Sequence, residues 1–384
     1  MLPRTADVVV IGGGLVGCAT ARALARHGLH TLLLERARIG AEASSAAAGM
    51  VAPQVESHGP GPLLDAGLAS RRRYARFVAA IQDESGLDVH YRRDGILYAA
   101  LGRAAALRLE RRVGWQTAAG LRVRRLSVTE ARRRVRILSP RIAGAAFFPD
   151  DHRVDNVRLT TAVATAARRA RVRICEETGV LAIVAARGRV VGVRTTRGRV
   201  AAPVVVDAAG AWAAEIRLPA GVVPPPVFPV RGQMLVLRTA PDTLPCPLYS
   251  DGAYLVPRAD GRILVGSTLE RAGFEKRVTV EAAARLLAAA LALAPALADA
   301  SFEGAYAGLR PATSDDRPIV GPAADLPGLV YAAGLHRSGI LLAPLVADAV
   351  ADFVRGGRTR LPVAAFAPAR FAGPGATTHA PARK

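Results

Sequence analysis

The chain has almost no lysine. Of its 52 basic residues, all but Lys276 and Lys384 are arginine, and they recur along the whole length beside abundant alanine and glycine. The formal net charge of +21 therefore reads as a compositional bias, not as a footprint built for a polyanion, and no nucleic acid is expected as partner. Cysteine is scarce as well. Cys18, Cys175 and Cys246 form no CxxC pair and no metal-ligand spacing. No metal site or disulfide framework is expected, and reduced thiols in a cytoplasmic protein are. The N-terminus enters a strand within a few residues, so no signal peptide is expected. A long apolar run is missing too: the nearest to one, 281–300, is broken by Arg285 and Pro295. It predicts an amphipathic, alanine-rich helix and no stable insertion in a membrane. Nor does any Ser-His-Asp set or carboxylate pair stand in a convincing context. What remains is a chain of 384 residues, 51% of them apolar, with enough length for a substantial core and two domains.

The most informative stretch is ADVVVIGGGLVGCATARALARHGLHTLLLE (6–35). Ala6 to Ile11 predicts a buried strand, Leu15 to His27 a helix closed by Gly28, and Thr31 to Leu34 a second strand. Gly12, Gly14 and Gly17 form GxGxxG. Gly12 permits the tight turn, Gly14 lets the backbone approach a pyrophosphate, and Gly17 lets the helix pack on the sheet with its N-terminal amides toward the phosphates. Glu35 closes the second strand, placed to accept hydrogen bonds from ribose hydroxyls. These residues alone do not separate NAD from FAD. The small-residue run IGAEASSAAAGM (39–50) favours the longer FAD, which can lie against such a backbone, over NAD, for which a regular second helix is expected there.

Elements of the same cofactor domain return twice. Strands separated by glycine turns fill 171–184 and 188–212, and LVYAAG (329–334) leads into a helix at 339–354. Between them lie a helix at 61–82, strands around a turn at Asp94-Gly95 within 88–101, a strand at 231–238, and a hairpin at 253–268 turning at Asp260-Gly261. The expected fold class is α/β: a discontinuous Rossmann-like FAD-binding domain with an inserted antiparallel sheet that carries the substrate. The segments are 1–86, 151–218 and 304–372 for the cofactor domain and 87–150 and 219–303 for the substrate domain. Residues 373–384 are expected to be disordered. One residue stands out late in the chain: Arg337 is the only formal charge in YAAGLHRSGILLAP (331–344). A guanidinium there is either splayed onto the surface or aimed at an anion.

Taken together, VVVIGGGLVG, SSAAAGM, AYLVPRADGRILVGST, YAGLRPATSDDRPIVG and AAGLHRSGILLAP resemble the D-amino-acid-oxidase-like family of flavoproteins, over roughly residues 6–371. The resemblance is strongest to its glycine-oxidising members. It implies FAD held by Gly12, Gly14, Leu15, Val16 and Gly17, by Glu35 and Arg36 at the ribose, and by Ser44, Ser45, Ala48, Gly49 and Met50 along the pyrophosphate and ring. Val180 at the adenine, Gly210, and Leu335, His336, Arg337, Ser338, Gly339, Ile340 and Leu341 beside the flavin complete the set. Arg310, Tyr254 and Arg337 carry over as the substrate-binding and catalytic residues, with Arg310 gripping the amino-acid carboxylate. No cysteine lies near Arg310, so the FAD is expected to be non-covalent.

The implied reaction takes a hydride from the substrate Cα to flavin N5, giving an imine, then glyoxylate and ammonia from glycine, with oxygen yielding hydrogen peroxide. The cofactor supplies the hard chemistry, so no side-chain base is required. The resemblance also implies a homotetramer and a hand-off of the imine to a thiazole synthase for thiamine. The chain departs from the family's usual GHxRNG, reading Gly334-Leu335-His336-Arg337-Ser338-Gly339, and lacks a histidine just before Tyr254. Both departures lie beside the substrate. Alternative readings are a quinone-linked D-amino-acid dehydrogenase, a sarcosine-oxidase-like enzyme, a flavin-dependent RNA-modifying enzyme and a flavoprotein scaffold without catalysis.

Overall fold

Val8–Ile11 (β1) is buried at every position, as a β-branched run flanked by strands on both sides must be. In the computed structural model, which describes residues 2–371, β1 lies between Thr31–Leu34 (β2) and Val204–Asp207, parallel to both. The six-stranded sheet runs Ile319–Pro322, Leu329–Ala333, Val204–Asp207, β1, β2, Arg173–Cys175. Only its edge strand Ile319–Pro322 is antiparallel. The helix Leu15–Arg26 (α1) returns from β1 to β2, giving the expected strand–turn–helix–strand unit. The last helix, Gly339–Gly356, packs with α1 and with the long helix Pro62–Ser85 on one side of this sheet. An antiparallel three-stranded sheet, Val180–Ala186, Arg189–Thr195 and Gly198–Ala201, covers the other side.

The second sheet has eight strands, in the order Ser301–Thr313, Val227–Arg238, Arg262–Gly266, Tyr254–Pro257, Leu248–Tyr249, Ile96–Leu101, Ile142–Phe148, Arg124–Leu126. It is antiparallel except where Leu248–Tyr249 runs parallel to Ile96–Leu101. The hairpin with Asp260-Gly261 at its turn is present, and Gly261 takes φ +85°, as such a turn requires. Three expectations need correcting. Residues 88–95 make no strand; their one ladder contact is a bridge from Arg92 to Arg153, because Ile96–Leu101 finds its partner 41 or more residues on, at Ile142–Phe148. Ser301–Thr313 pairs with Val227–Arg238 along its whole length, so the substrate sheet runs through to Thr313 and the expected boundary at 304 cuts a strand. The helix in 281–300 ends at Leu293, and Pro295 opens a separate 3-10 turn because proline cannot continue the ladder. Among the described residues, no helix is long and apolar enough to cross a membrane. The expected disorder of 373–384 lies outside the described residues.

Candidate functional site

The turn after β1 is a cradle with no space to spare. A Cβ on Gly12, which takes φ +102°, would meet the Ala208 carbonyl oxygen at 2.4 Å, and one on Gly17 would meet the Gly12 carbonyl oxygen at 2.0 Å. Gly14 is the N-cap of α1 and brings no side chain to cap it, so the first-turn amides face outward for an anion. Leu15 N–H donates to Ser44 Oγ at 2.9 Å. Glu35 accepts from Gly13 N–H at 2.6 Å and from Ala37 N–H at 2.8 Å, which fixes its carboxylate at the end of β2. A cavity of about 340 Å³ opens over this cradle. Its lining includes Gly12, Gly14, Leu15, Val16, Gly17, Glu35, Arg36, Ser44, Val180, Gly210, Leu335, His336, Arg337, Gly339 and Ile340. The cradle without Cβ atoms, the helix N-terminus with only its Leu15 amide met by a side chain, and the acid beside them fit a dinucleotide.

Six expected cofactor residues do not line this cavity, and three of them line the pocket that adjoins it. Ala48, Gly49 and Met50 line a neighbouring small pocket. Ser45 faces a third cavity on the far side of its own short helix, Ala43–Ala46. Ser338 Oγ donates to the Leu335 carbonyl at 2.8 Å, closing the turn before the last helix, and Leu341 is buried in the core. Within the short helix Ala43–Ala46 consecutive residues point to different sides, so Ser44 lines the large cavity and Ser45 does not.

The small pocket, about 80 Å³, is lined by Tyr254, Arg310, Arg337, His336, Glu56, Gly232 and the Ala46–Met50 segment among others. It shares Ala43, Ala47, Leu309, His336, Arg337 and Ile340 with the large cavity, so the two adjoin. Arg310 lies across Gly232, where a Cβ would stand 2.0 Å from Nη1. Its guanidinium donates to the Thr268 carbonyl at 3.0 Å and to Ser267 Oγ at 2.6 Å. No carboxylate among the described residues pairs with it. Tyr254 is buried, and its hydroxyl has only the Met234 thioether at 3.4 Å, a weak acceptor.

Arg337 is different from what its neighbourhood in sequence suggests. It reaches the pocket, but its guanidinium donates to Glu56 at 2.7 Å and to the Tyr249 hydroxyl at 3.2 Å. The Glu56 carboxylate holds it firmly protonated. Burial pushes the neighbouring His336 down to about 4, with Arg310 and Arg337 opposing its charge and Asp316 favouring it. At neutral pH His336 is therefore an uncharged imidazole. It has φ +44°, a left-handed position held by its N–H to the Pro311 carbonyl at 2.7 Å.

Several neighbours of the site gave no signal in the sequence. Asn156 Nδ2 donates to the carbonyls of Ser44 and Ser45 at 2.8 and 3.0 Å, and buried Arg258 bonds Asn156 Oδ1 at 2.7 Å and the Ala48 carbonyl at 3.1 Å. The small-residue segment is thus latched from behind by a second part of the chain and a third. At the far end of the large cavity, Arg36 lies over the Trp212 ring at 3.4 Å, and Phe274 stacks on that ring at 5.3 Å. Lys276 pairs with Glu42 at 3.0 Å, and Glu42 also holds Arg36 at 2.7 Å. The loop between Gly266 and Val280 therefore straps the substrate sheet to the rim of the cavity. Phe274 and Lys276 read as ordinary loop residues until Trp212 and Glu42 are placed beneath them.

Known proteins of similar sequence and shape agree with this geometry. A family model described as FAD dependent oxidoreductase (DAO) matches residues 7–353. The chain is 36% identical over 377 residues to the bifunctional protein ThiO/ThiG of Synechocystis, covering 96% of this chain and 55% of that protein; it thus spans about half the length of that relative. It is 35% identical to a glycine oxidase of Pseudomonas aeruginosa, covering 94% of this chain and 98% of the other. The crystal structure of glycine oxidase from Geobacillus kaustophilus superposes with a TM-score of 0.92 at 32% identity, covering 96% of this chain and 100% of that one. The α/β architecture, the dinucleotide cradle and the adjoining pocket are those of an FAD enzyme, and the chain belongs to the DAO family of FAD dependent oxidoreductases.

Proposed function

We propose that this protein oxidises glycine and other small amino acids at the carbon bearing the amine, giving the imine and then glyoxylate and ammonia, with oxygen as acceptor and hydrogen peroxide as product. The observation that carries the reading is Arg310, a guanidinium with no acid of its own, in a small pocket that adjoins the cofactor cavity. A carboxylate entering such a pocket must be paired, and a guanidinium does this with two parallel hydrogen bonds. Thr268 and Ser267 hold the fork from behind, so little rotamer freedom is lost on binding. Tyr254 adds a hydroxyl whose present partner is weak. The Ala46–Met50 segment and Ile340 close the apolar wall and keep water off the reacting carbon.

Bound FAD supplies the two-electron acceptor for the hydride. The chain's own part is to place the substrate and to leave its amine neutral. Burial that pushes His336 down to about 4 makes its neutral ring a weak base, and Glu56 is committed to Arg337; no stronger base is required for a substrate that arrives as the free amine. The strap adds a prediction. Replacing Phe274 and Lys276 together with alanine removes one aromatic stack and one ion pair from the cavity rim, about 1–2 kcal/mol in all. FAD release, followed by fluorescence after dilution, should then be about tenfold faster.

The relative joined to a second protein in one chain supports a place in thiamine biosynthesis, with the imine passed to a thiazole synthase. A homotetramer is read from family resemblance. The test is oxygen uptake with peroxide detection by the FAD-loaded protein on glycine, sarcosine, D-alanine, D-proline and a 2-hydroxy acid. Glycine turnover with stoichiometric peroxide is expected. Flavin reduction by larger D-amino acids without peroxide would replace this reading by a quinone-linked dehydrogenase.

A further inference from the structure

Two guanidiniums line the small pocket, and they are not equivalent. Arg310 meets only a carbonyl and a hydroxyl, whereas Arg337 is already neutralised by Glu56 at 2.7 Å. Glu56 is not a loose surface acid. The backbone just before it is pinned by buried Asp151, which accepts from Val55 N–H at 2.8 Å and Gln54 N–H at 3.3 Å. Arg112 also donates to the Val55 carbonyl, and just after Glu56 the Ser57 hydroxyl donates to the Pro53 carbonyl at 2.6 Å. The same Arg337 Nη2 that meets Glu56 also donates to the Tyr249 hydroxyl at 3.2 Å, and Tyr249 stacks on Tyr254 at 6.3 Å. The pocket therefore presents one unmatched positive charge, at Arg310, and one carboxylate fixed beside its second arginine.

We infer that Glu56 is a specificity-determining residue: by occupying Arg337 it restricts the pocket to amines with a single carboxylate and refuses amines with two. The inference rests on the amino-acid-oxidising reading above and names the limit of that substrate class. A second substrate carboxylate would have to displace Glu56 from Arg337 or lie beside it as a like charge, in a site where screening is weak. Discrimination by an opposing charge is a general way to refuse a ligand that otherwise fits. A neutral N-substituent meets no such opposition.

Sarcosine and iminodiacetate form a matched pair for the test, because both are N-substituted glycines and differ by a methyl against a carboxymethyl group. The wild-type FAD enzyme should oxidise sarcosine with a kcat/KM at least about tenfold above that for iminodiacetate. In Glu56→Gln the ratio of iminodiacetate to sarcosine should rise about tenfold or more, and Glu56→Gln with Arg337→Met should lose that gain. Equilibrium binding of acetate and malonate, read from the flavin absorbance, follows the same order without turnover: malonate gains on acetate in Glu56→Gln. Wild-type enzyme that oxidises iminodiacetate within threefold of sarcosine overturns the inference, and this arm needs no variant to fold. So does a ratio unchanged in Glu56→Gln while glycine is still oxidised. If wild-type enzyme oxidises none of these amines, the proposed function fails, and the acetate–malonate comparison still decides the role of Glu56.

Discussion

Arg310→Ala lowers kcat/KM for glycine by about two to three decades, the equivalent of about 3–5 kcal/mol, while FAD content stays at the wild-type level. Each half of this expectation has its own reason. The substrate carboxylate loses its only unmatched cation and is left buried against apolar wall and hydroxyls, the costly case for a charge. The cofactor is spared because Arg310 lines the small pocket and not the large cavity. Arg310→Lys is the informative companion. It keeps the charge and gives up the two-pronged geometry, so about one decade of loss is expected. Steady-state kinetics on glycine together with the flavin spectrum check both variants. A near-normal kcat/KM in Arg310→Ala would remove this residue from the substrate and with it the main support for the proposed reaction.

Gly17→Ala should give a protein that is less stable and mostly free of flavin. In an ordinary helix the exchange stabilises by about 1 kcal/mol, so the sign of the effect is diagnostic. Here the added Cβ would stand 2.0 Å from the Gly12 carbonyl oxygen and 3.1 Å from its carbon. Both atoms are backbone of the cradle itself, and neither can swing aside as a side chain would. Either α1 moves off the sheet or the turn opens, at a cost of about 1–3 kcal/mol for overpacking. The same movement withdraws the first-turn amides from the phosphates, so FAD affinity falls by about two decades. Thermal melting and the flavin-to-protein absorbance ratio after gel filtration measure the two effects. A stable, fully flavinated Gly17→Ala would mean that the dinucleotide lies elsewhere.

What the sequence revealed of this site divides by distance along the chain. GxGxxG between strand and helix, the acid at the end of β2 and the Asp260-Gly261 hairpin are local patterns, and local geometry decides them. Arg310 was legible because a charge in an apolar run has few places to go. Arg337 looked the same by that argument, yet its partner Glu56 lies 281 residues away, and no local pattern reports such a pair. Tyr249, Asn156 and Arg258 were silent for the same reason. The expected boundary at 304 divided strand Ser301–Thr313, because that strand is defined by its pairing with Val227–Arg238, and no local pattern reports a pairing at such a distance. The arginines also proved less evenly spread than they first read: between Arg103 and Arg141 there are twelve, against two glutamates.

The order of strands in the six-stranded sheet has a consequence for how the molecule is made. β1 is translated first, yet its neighbour on one side, Val204–Asp207, follows some 190 residues later, and the next strand, Leu329–Ala333, later still. A nascent chain emerging from the ribosome therefore carries the run VVVI with one edge unpaired until Val204–Asp207 has been made, the kind of segment that invites misassociation. The cavity lining spans Ile11 to Ile340, so no intermediate length of chain offers FAD a finished site. Flavin loading is in this sense a late event in biogenesis, and the ligand can stabilise only the completed fold.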